Sequence, residues 1–319
     1  MPDTSHGSAP SIVVVGGLNM DIHLFGARHR AEYGLLMAER YAVEPGGKGA
    51  NQSRAVARLG GSVALVGRVG DDEFGRLCVD AVVGDGVRVE GLGISPDART
   101  GFVVIDLVEG QHVTRVFVPG ANMTLTWEDV ESTLIRETGC RAVLAQAEMP
   151  NDVLERLAAW CEDVEVPLYL DPVPPQAVTP DLLRRAEVVT PSKGEAGGLT
   201  GREVDDEVSA RLAARDLLAL GAHRVIIKLG PPGAVLAEAD GDVALIPTLN
   251  VVAENETGAG DAFLATLAVA RLTGASWPEA VRLGNVASAL SVSRPDLHLP
   301  TWEEVTTAAE AGEAWPAAH

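Results

Sequence analysis

The sequence predicts a doubly wound α/β fold, a mostly parallel sheet with helices on both faces, plus a small β-rich lid. Three observations predict it. Short apolar, β-branched runs recur at residues 11–17, 63–67, 142–146, 166–170, 187–190 and 224–229, the pattern of strands buried on both faces. Helical stretches with recognisable starts lie between many of them, and strands alternating with helices build a parallel sheet. Two stretches break that rhythm by placing strand next to strand.

Residues 1–10 read as a flexible tail, and 11–17 as a buried strand ended by glycines. Residues 22–25 and 36–43 are strand-like with a polar connection between them. A glycine turn at 46–49 opens a helix ending near Leu59, where Gly60 is the C-terminal glycine; Gly274 does the same for the apolar helix 262–272. Residues 102–108 and 113–118 read as a hairpin around Glu109-Gly110-Gln111-His112. Thr126-Trp127-Glu128-Asp129, Ser276-Trp277-Pro278-Glu279 and Thr301-Trp302-Glu303-Glu304 resemble capping boxes, in which the first and fourth residues satisfy each other's N–H groups. The expected organisation is one domain over residues 11–312, its lid formed by about 20–46 and 99–120, with tails at 1–10 and 313–319.

Composition narrows the function classes. Hydrophobic residues make up 46% and charged residues 22% of 319, as in ordinary globular proteins, which argues against a disordered chain. Aromatics are only 4%, so Val, Leu, Ile and Ala must build the core. A formal net charge of −20 argues against nucleic acid or an anionic membrane as partner. It leaves room for a phosphate ligand, which a local cluster of backbone N–H groups holds inside an acidic protein. Cys78, Cys140 and Cys161 are odd in number and lack metal-like spacing, so buried free thiols are expected. The apolar run 12–15 is too short for a signal peptide or membrane span, and a soluble cytoplasmic protein is expected.

The sharpest motif is Thr257-Gly258-Ala259-Gly260-Asp261, leading into a helix that is apolar nearly all round and therefore central. Glycines at such a start let N–H groups approach an anion, and the helix dipole favours negative charge there. An aspartate at the same point supplies a proton acceptor beside a bound phosphate, which suits phosphoryl transfer. Taken alone, the pentapeptide reads equally well as a tight turn with Asp261 as a helix cap. Gly46-Gly47-Lys48-Gly49-Ala50-Asn51-Gln52 is not a P-loop, since no Ser or Thr follows the lysine. One turn into its helix, Asn51 is placed to offer an amide to a polyol, while Lys48 alone reads as an exposed charge. Asn19 and Asp21 follow the first strand, and Glu148 follows the strand 142–146; strand carboxyl ends are where open α/β sheets bind ligands.

In order along the chain, these segments resemble the ribokinase-like (phosphofructokinase B type) carbohydrate kinase family, from Val13 to about Arg294. Further matching pieces are Val69-Gly70-Asp71-Asp72-Glu73-Phe74-Gly75, Thr100-Gly101, Pro119-Gly120-Ala121-Asn122, Glu148-Met149-Pro150, Asp171-Pro172 and Thr190-Pro191. The resemblance implies an ATP-dependent sugar kinase acting on a hydroxyl of ribose or a related sugar, with Asp261 as base and Gly258, Ala259 and Gly260 as anion hole. It implies sugar contacts from Asn19, Asp21, Gly47, Lys48, Asn51 and Glu148. Ser192, Lys228, Gly230, Gly233 and Asn285 fall at nucleotide-side positions, with adenine between the 229–233 loop and the helix holding Asn285. Glu195 matches the acidic residue that organises Mg²⁺ through water. The lid is expected to form a homodimer. A nucleoside kinase of the same fold, with Tyr33, Leu35 and Met37 against a base, and a weakly catalytic sugar sensor are the alternatives.

Three departures stand out. Asn255-Glu256 replaces a usual Asp-Thr, which weakens the expected site for K⁺. Ser192 replaces a usual asparagine. The lid segment 28–40 lacks the Pro-Gly-Glu-Thr type of run and leaves the choice among pentoses, hexoses and nucleosides open.

Overall fold

The computed structural model describes residues 11–26, 29–30, 36–108, 111–241 and 243–312. In chain order the strands are β1 (Ser11–Val15), β2 (Asn19–Phe25), β3 (His29–Arg30), β4 (Leu36–Met37), β5 (Arg40–Gly46), β6 (Ser62–Gly70), β7 (Arg88–Ser95), β8 (Gly101–Val108), β9 (Gln111–Val118), β10 (Ala142–Gln146), β11 (Leu168–Asp171), β12 (Val188–Val189), β13 (Arg224–Gly230), β14 (Gly233–Glu238) and β15 (Val243–Ile246). The helices are α1 (Lys48–Arg58), α2 (Glu73–Gly84), α3 (Trp127–Arg136), α4 (Asn151–Asp163), α5 (Pro180–Arg185), α6 (Lys193–Thr200), α7 (Glu207–Ala219), α8 (Ala259–Leu272), α9 (Trp277–Val292) and α10 (Trp302–Gly312).

Among the described residues, nine strands form a sheet in the order β15-β14-β13-β12-β11-β10-β1-β6-β7. From β12 to β7 every pairing is parallel, and β13–β14 and β14–β15 add an antiparallel edge. From the interior strand β1 the chain runs out to β6 and β7, then returns to β10 on the other side. That reversal opens a crevice at the carboxyl ends of β1 and β10, where doubly wound sheets take their ligands. Helices cover both faces. Ile12 and Val14 pack into a core with α1, α8 and α9, whereas Val13 and Val15 pack into a second core with α3, α4 and α7.

The lid is a four-stranded sheet in the order β5-β2-β8-β9. Its two outer connections differ from the sequence reading. Residues 36–43 are not one strand: β4 pairs with β3, and β5 pairs with β2 from Arg40 onward, so a change of partner breaks the run. In the hairpin, Val108 pairs with Gln111, which draws Gln111 and His112 into the ladder; Glu109 and Gly110 lie outside the described residues.

Helix starts follow the sequence closely. Thr126 and Asp129 form a reciprocal box, as do Thr301 and Glu304. Ser276 accepts from Glu279 N, but the Glu279 carboxylate takes Arg282, which leaves a half-box. Gly60 and Gly274 both take the left-handed conformation just past helix ends. Cys78 and Cys161 are buried free thiols; Cys140 is only half-buried, because it sits in the loop ahead of β10. Among the described residues, no helix is long and apolar enough to cross a membrane.

Candidate active site

All sixteen site residues singled out from the sequence line one cavity of about 860 Å³ between the lid and the carboxyl edge of the large sheet. At the lid end, β1 leaves the sheet through Gly16-Gly17-Leu18 and enters β2 with Asn19 and Asp21. Asn19 is fixed by Asn122, whose Nδ2 donates to Asn19 Oδ1 (2.8 Å) while its Oδ1 accepts from Leu18 N (3.1 Å). Across the lid, Asp21 pairs with Val103 and Val103 with Phe117, while Ile105 pairs with Arg115. Directly paired residues share a sheet face, so this face roofs the cavity. Sequence reasoning missed Val103, Ile105, Arg115 and Phe117. Their period-two spacing was visible, but nothing in it showed which face looks toward a ligand.

Two glycine-started helices supply the centre. Gly47 has φ 92°, and a Cβ there would lie 2.6 Å from Asn19 N, so only glycine lets α1 begin against β2. Lys48 is then the first residue of α1, half-buried rather than exposed, with Nζ 2.7 Å from Asp171 Oδ2. Asn51 and Gln52, one turn on, donate to the two oxygens of Asp261 at 3.2 and 3.1 Å. Gly258 caps α8 with φ 78°, and a Cβ there would lie 2.4 Å from a Leu297 methyl. Asp261 sits in the first turn of α8, 5% exposed, and no side chain caps that helix. It is therefore not a cap: its carboxylate is held by α1 and faces the cavity.

The electrostatics are those of a crowded acidic site with one cation at its centre. Burial, then Asp261, Glu148 and Glu44, push Asp21 up to about 7 against the pull of Arg115. Burial also raises Glu148 to about 7, opposed by Lys48 and reinforced by Asp171, Asp261 and Glu195. Asp261 is raised by burial and by Asp171, with Lys48, Gln52 and Asn51 acting the other way. Burial alone would lower Lys48, but Asp171, Asp261, Glu195 and Glu148 hold its ammonium well above the ordinary value.

At the far end, Lys228, Gly230 and Gly233 come from β13 and its turn into β14. Two expected nucleotide contacts are engaged with the protein itself. Asn285 Nδ2 donates to Ile246 O (2.8 Å) and Pro247 O (3.3 Å), bracing the loop after β15. Ser192 and Glu195 form a capping box at the start of α6: Glu195 Oε2 accepts from Ser192 N (2.7 Å), and Ser192 Oγ accepts from Glu195 N (3.4 Å). Small and apolar residues such as Val251, Ala253, Ala289 and Val292 complete this wall. None was singled out, because such residues carry no chemical signature in a sequence.

A carboxylate fixed beside a helix N-terminus, within a cavity that also holds Lys48 and Lys228, is an arrangement for moving an anionic group onto a hydroxyl. Comparison with known proteins agrees. Residues 9–304 match the model for the pfkB family carbohydrate kinases. The chain is 32% identical to a ribokinase of Haemophilus influenzae over 92% of this chain and 96% of the relative. It is 31% identical to a ribokinase of Bacillus subtilis, covering 88% and 92%. Among solved structures, Arabidopsis thaliana ribokinase complexed with ribose and ATP matches with a TM-score of 0.83 at 28% identity, covering 95% of this chain and 99% of that one. Ribokinase from Thermotoga maritima matches with a TM-score of 0.82 at 30% identity, covering 94% and 99%. The chain belongs to the pfkB family of carbohydrate kinases.

Proposed function

We propose that this protein transfers the γ-phosphoryl group of ATP to a hydroxyl of ribose or a closely related sugar, with Asp261 as the general base. One observation carries the reading: the Asp261 carboxylate is held by Asn51 and Gln52 inside the cavity, in the first turn of α8. The first N–H groups of a helix have no intrahelical partner, so the start of α8 offers donors to the charge that builds on a transferring phosphoryl group. Asn19, Asp21, Asn51 and Glu148 then face the sugar hydroxyls, and Asp261 takes the proton of the attacking one. The lid residues Val103, Ile105 and Phe117 exclude water, the competing acceptor. ATP lies toward Lys228, Gly230 and Gly233, its adenine against the wall that Asn285 braces.

Mg²⁺ fits the donor set. It keeps most of its waters and needs only one or two carboxylates besides phosphate oxygens. Glu195 lines the cavity with one oxygen engaged by Ser192 N and is the residue that would hold the ion through water. When bound, Mg²⁺ neutralises phosphate charge. Dependence on K⁺ is weak in this reading, since Asn255 is neutral, donates to Pro295 O (3.1 Å) and accepts from Thr257 N (2.9 Å).

A homodimer through the outer lid face completes the proposal. Val43, Ile22, Val104 and Val116 lie in one cross-strand row on the side opposite Asp21, and Val43 and Val116 are 41% and 53% exposed. Light scattering tests it, with a monomer in place of the dimer expected for Val116→Lys. Of the residues expected to contact a nucleoside base, Tyr33 and Leu35 lie outside the described residues and Met37 is 62% exposed. The activity is tested by coupled ADP release over pentoses, hexoses and nucleosides, with Asp261→Asn as control. Highest kcat/KM on a pentose supports the proposal; highest kcat/KM on a nucleoside, or turnover equal in the variant, contradicts it.

A further inference from the structure

Asp171 was not singled out as a site residue, yet it is the most enclosed charge beside the cavity. It ends β11 with 0% exposure and is bound from three directions. Lys48 Nζ of α1 lies 2.7 Å from Oδ2, Gln52 Nε2 lies 3.5 Å from the same oxygen, and Lys228 Nζ of β13 lies 3.8 Å from Oδ1. Each of these groups also belongs to the candidate active site. Lys48 and Lys228 line the cavity, and a Cβ built on Gly260 would lie 3.3 Å from Lys228 Nζ, beside the start of α8. Gln52 Nε2 is shared between Asp171 Oδ2 and Asp261 Oδ1, and Gln52 Oε1 is fixed by Gln146 Nε2 at 2.6 Å. A buried carboxylate with two lysines is an expensive arrangement for packing alone, since well-packed apolar residues would serve the core at least as well.

We propose that Asp171 is a positioning residue for phosphoryl transfer: it holds Lys48 beside the base and Lys228 beside the start of α8, and keeps Lys48 from pairing with Asp261. The inference rests on the kinase reading and on Asp261 as base. Without the Asp171 charge, the carboxylate left closest in influence to Lys48 is Asp261. A Lys48–Asp261 ion pair would occupy the base and stabilise its ionised form, making it a poorer proton acceptor. Asp171 thus favours transfer twice over, by fixing the two ammonium groups nearest the reacting centre and by adding negative charge beside the base. The charged groups facing Asp261 are Lys48 of α1, Asp171 of β11, Asp21 of β2 and Glu148 in the loop after β10.

The test is the pH profile of kcat/KM for purified wild-type protein, Asp171→Asn, Lys48→Met and the double variant. Wild type and Asp261→Asn are measured first, so that a failure of the kinase reading itself shows before Asp171 is touched. Asp171→Asn is expected to lose roughly 100-fold in kcat, the scale of a misplaced reacting group, with its acid limb moved to lower pH and sugar affinity unchanged. In the Lys48→Met background the same substitution is expected to add less than about tenfold, the part that acts through Lys228. A loss of kcat with an unmoved acid limb would mean a structural role and overturn the proposal, as would losses that simply multiply in the double variant. If Asp171→Asn alone does not fold, the comparison of Lys48→Met with the double variant, where no buried lysine at 48 is left unpaired, decides by the same criterion.

Discussion

The two ends of the cavity are built by different means. The lid end is made of ionisable and amide side chains on regular elements: Asn19 and Asp21 on β2, Asn51 on α1, and Glu148 just past β10. Most are buried and pinned, as Asn19 is by Asn122 and Asn51 by Asp261. The far end is made largely of glycine turns, backbone and small apolar residues with Lys228 among them, and three of its polar side chains, Asn285, Ser192 and Glu195, are engaged in holding the wall itself. In the proposed reading, the contrast divides the work. A surface of fixed side chains discriminates among hydroxyl patterns, because leaving a buried partner unpaired costs about 1–3 kcal/mol. A backbone wall recognises shape and phosphate charge and tolerates sequence change.

The strongest way to test that division is at the boundary between the ends. Asp261→Asn should reduce turnover by roughly 10²–10⁴, the usual contribution of a positioned general base, while calorimetry finds both sugar and a non-hydrolysable ATP analogue bound as before. Turnover close to wild type would remove Asp261 from the role.

Next in size is a pair of substitutions, one at each end. Asp21→Ala should weaken sugar binding by about 1–3 kcal/mol and leave the ATP analogue unaffected. Asn285→Ala releases the loop at Ile246 and Pro247 and should raise the KM for ATP several-fold with sugar affinity intact. Equal losses of both ligands in either variant would erase the contrast. Asn51→Ala is expected to affect sugar affinity and kcat together, because its amide also donates to Asp261.

Titration sharpens the picture further. Asp21 and Glu148 are each raised to about 7, so sugar should bind more tightly as pH rises through 7 and both become full acceptors. Stability of the free protein runs the other way. From the ordinary carboxyl range up to about 7, the folded state holds these protons and the unfolded state has lost them, so this contribution falls as pH rises. A melting-temperature series from pH 4 to 8 should therefore be flatter in Asp21→Asn/Glu148→Gln than in wild type. The smallest effect concerns the monovalent cation: replacing potassium by tetramethylammonium at matched ionic strength should change turnover less than twofold. A large loss would show that Asn255 does not prevent cation activation.

Much of this was legible in the sequence, and unevenly so. The residues flanking Gly258 and Gly47 stood out because both glycine runs open a helix with a polar residue about one turn on, and because they recur in order with the other matching segments; neither run alone separates a ligand site from a tight turn. The strands of the large sheet showed as apolar runs, though β12 shortened to Val188–Val189 where few neighbours extend the ladder. Asp171-Pro172 stood among the matching segments, but no role for the Asp171 side chain followed from it; only the fold brings Lys48, 123 positions away, onto it. Arg115 and Phe117 depended on the pairing of β8 with β9 and on which face the lid turns inward. Ser192 and Glu195 also fit the capping-box pattern, and the four residues alone do not separate that use from contacts to a ligand.

The position of β1 has a bearing on how the protein is made. This strand lies inside the large sheet, with Ile12 paired to Val63 on one side and to Ala142 on the other. Its second edge stays open until the chain as far as β10 has been synthesised, and such distant pairings slow folding because the intervening loop must close first. During that interval an apolar strand with an unpaired edge invites other chains. The remaining strands then add outward in sequence from β10 to β15, each onto an edge that already exists. A lesion in β1 would accordingly split the sheet into two unequal fragments during synthesis, whereas a lesion in β15 would only trim its border.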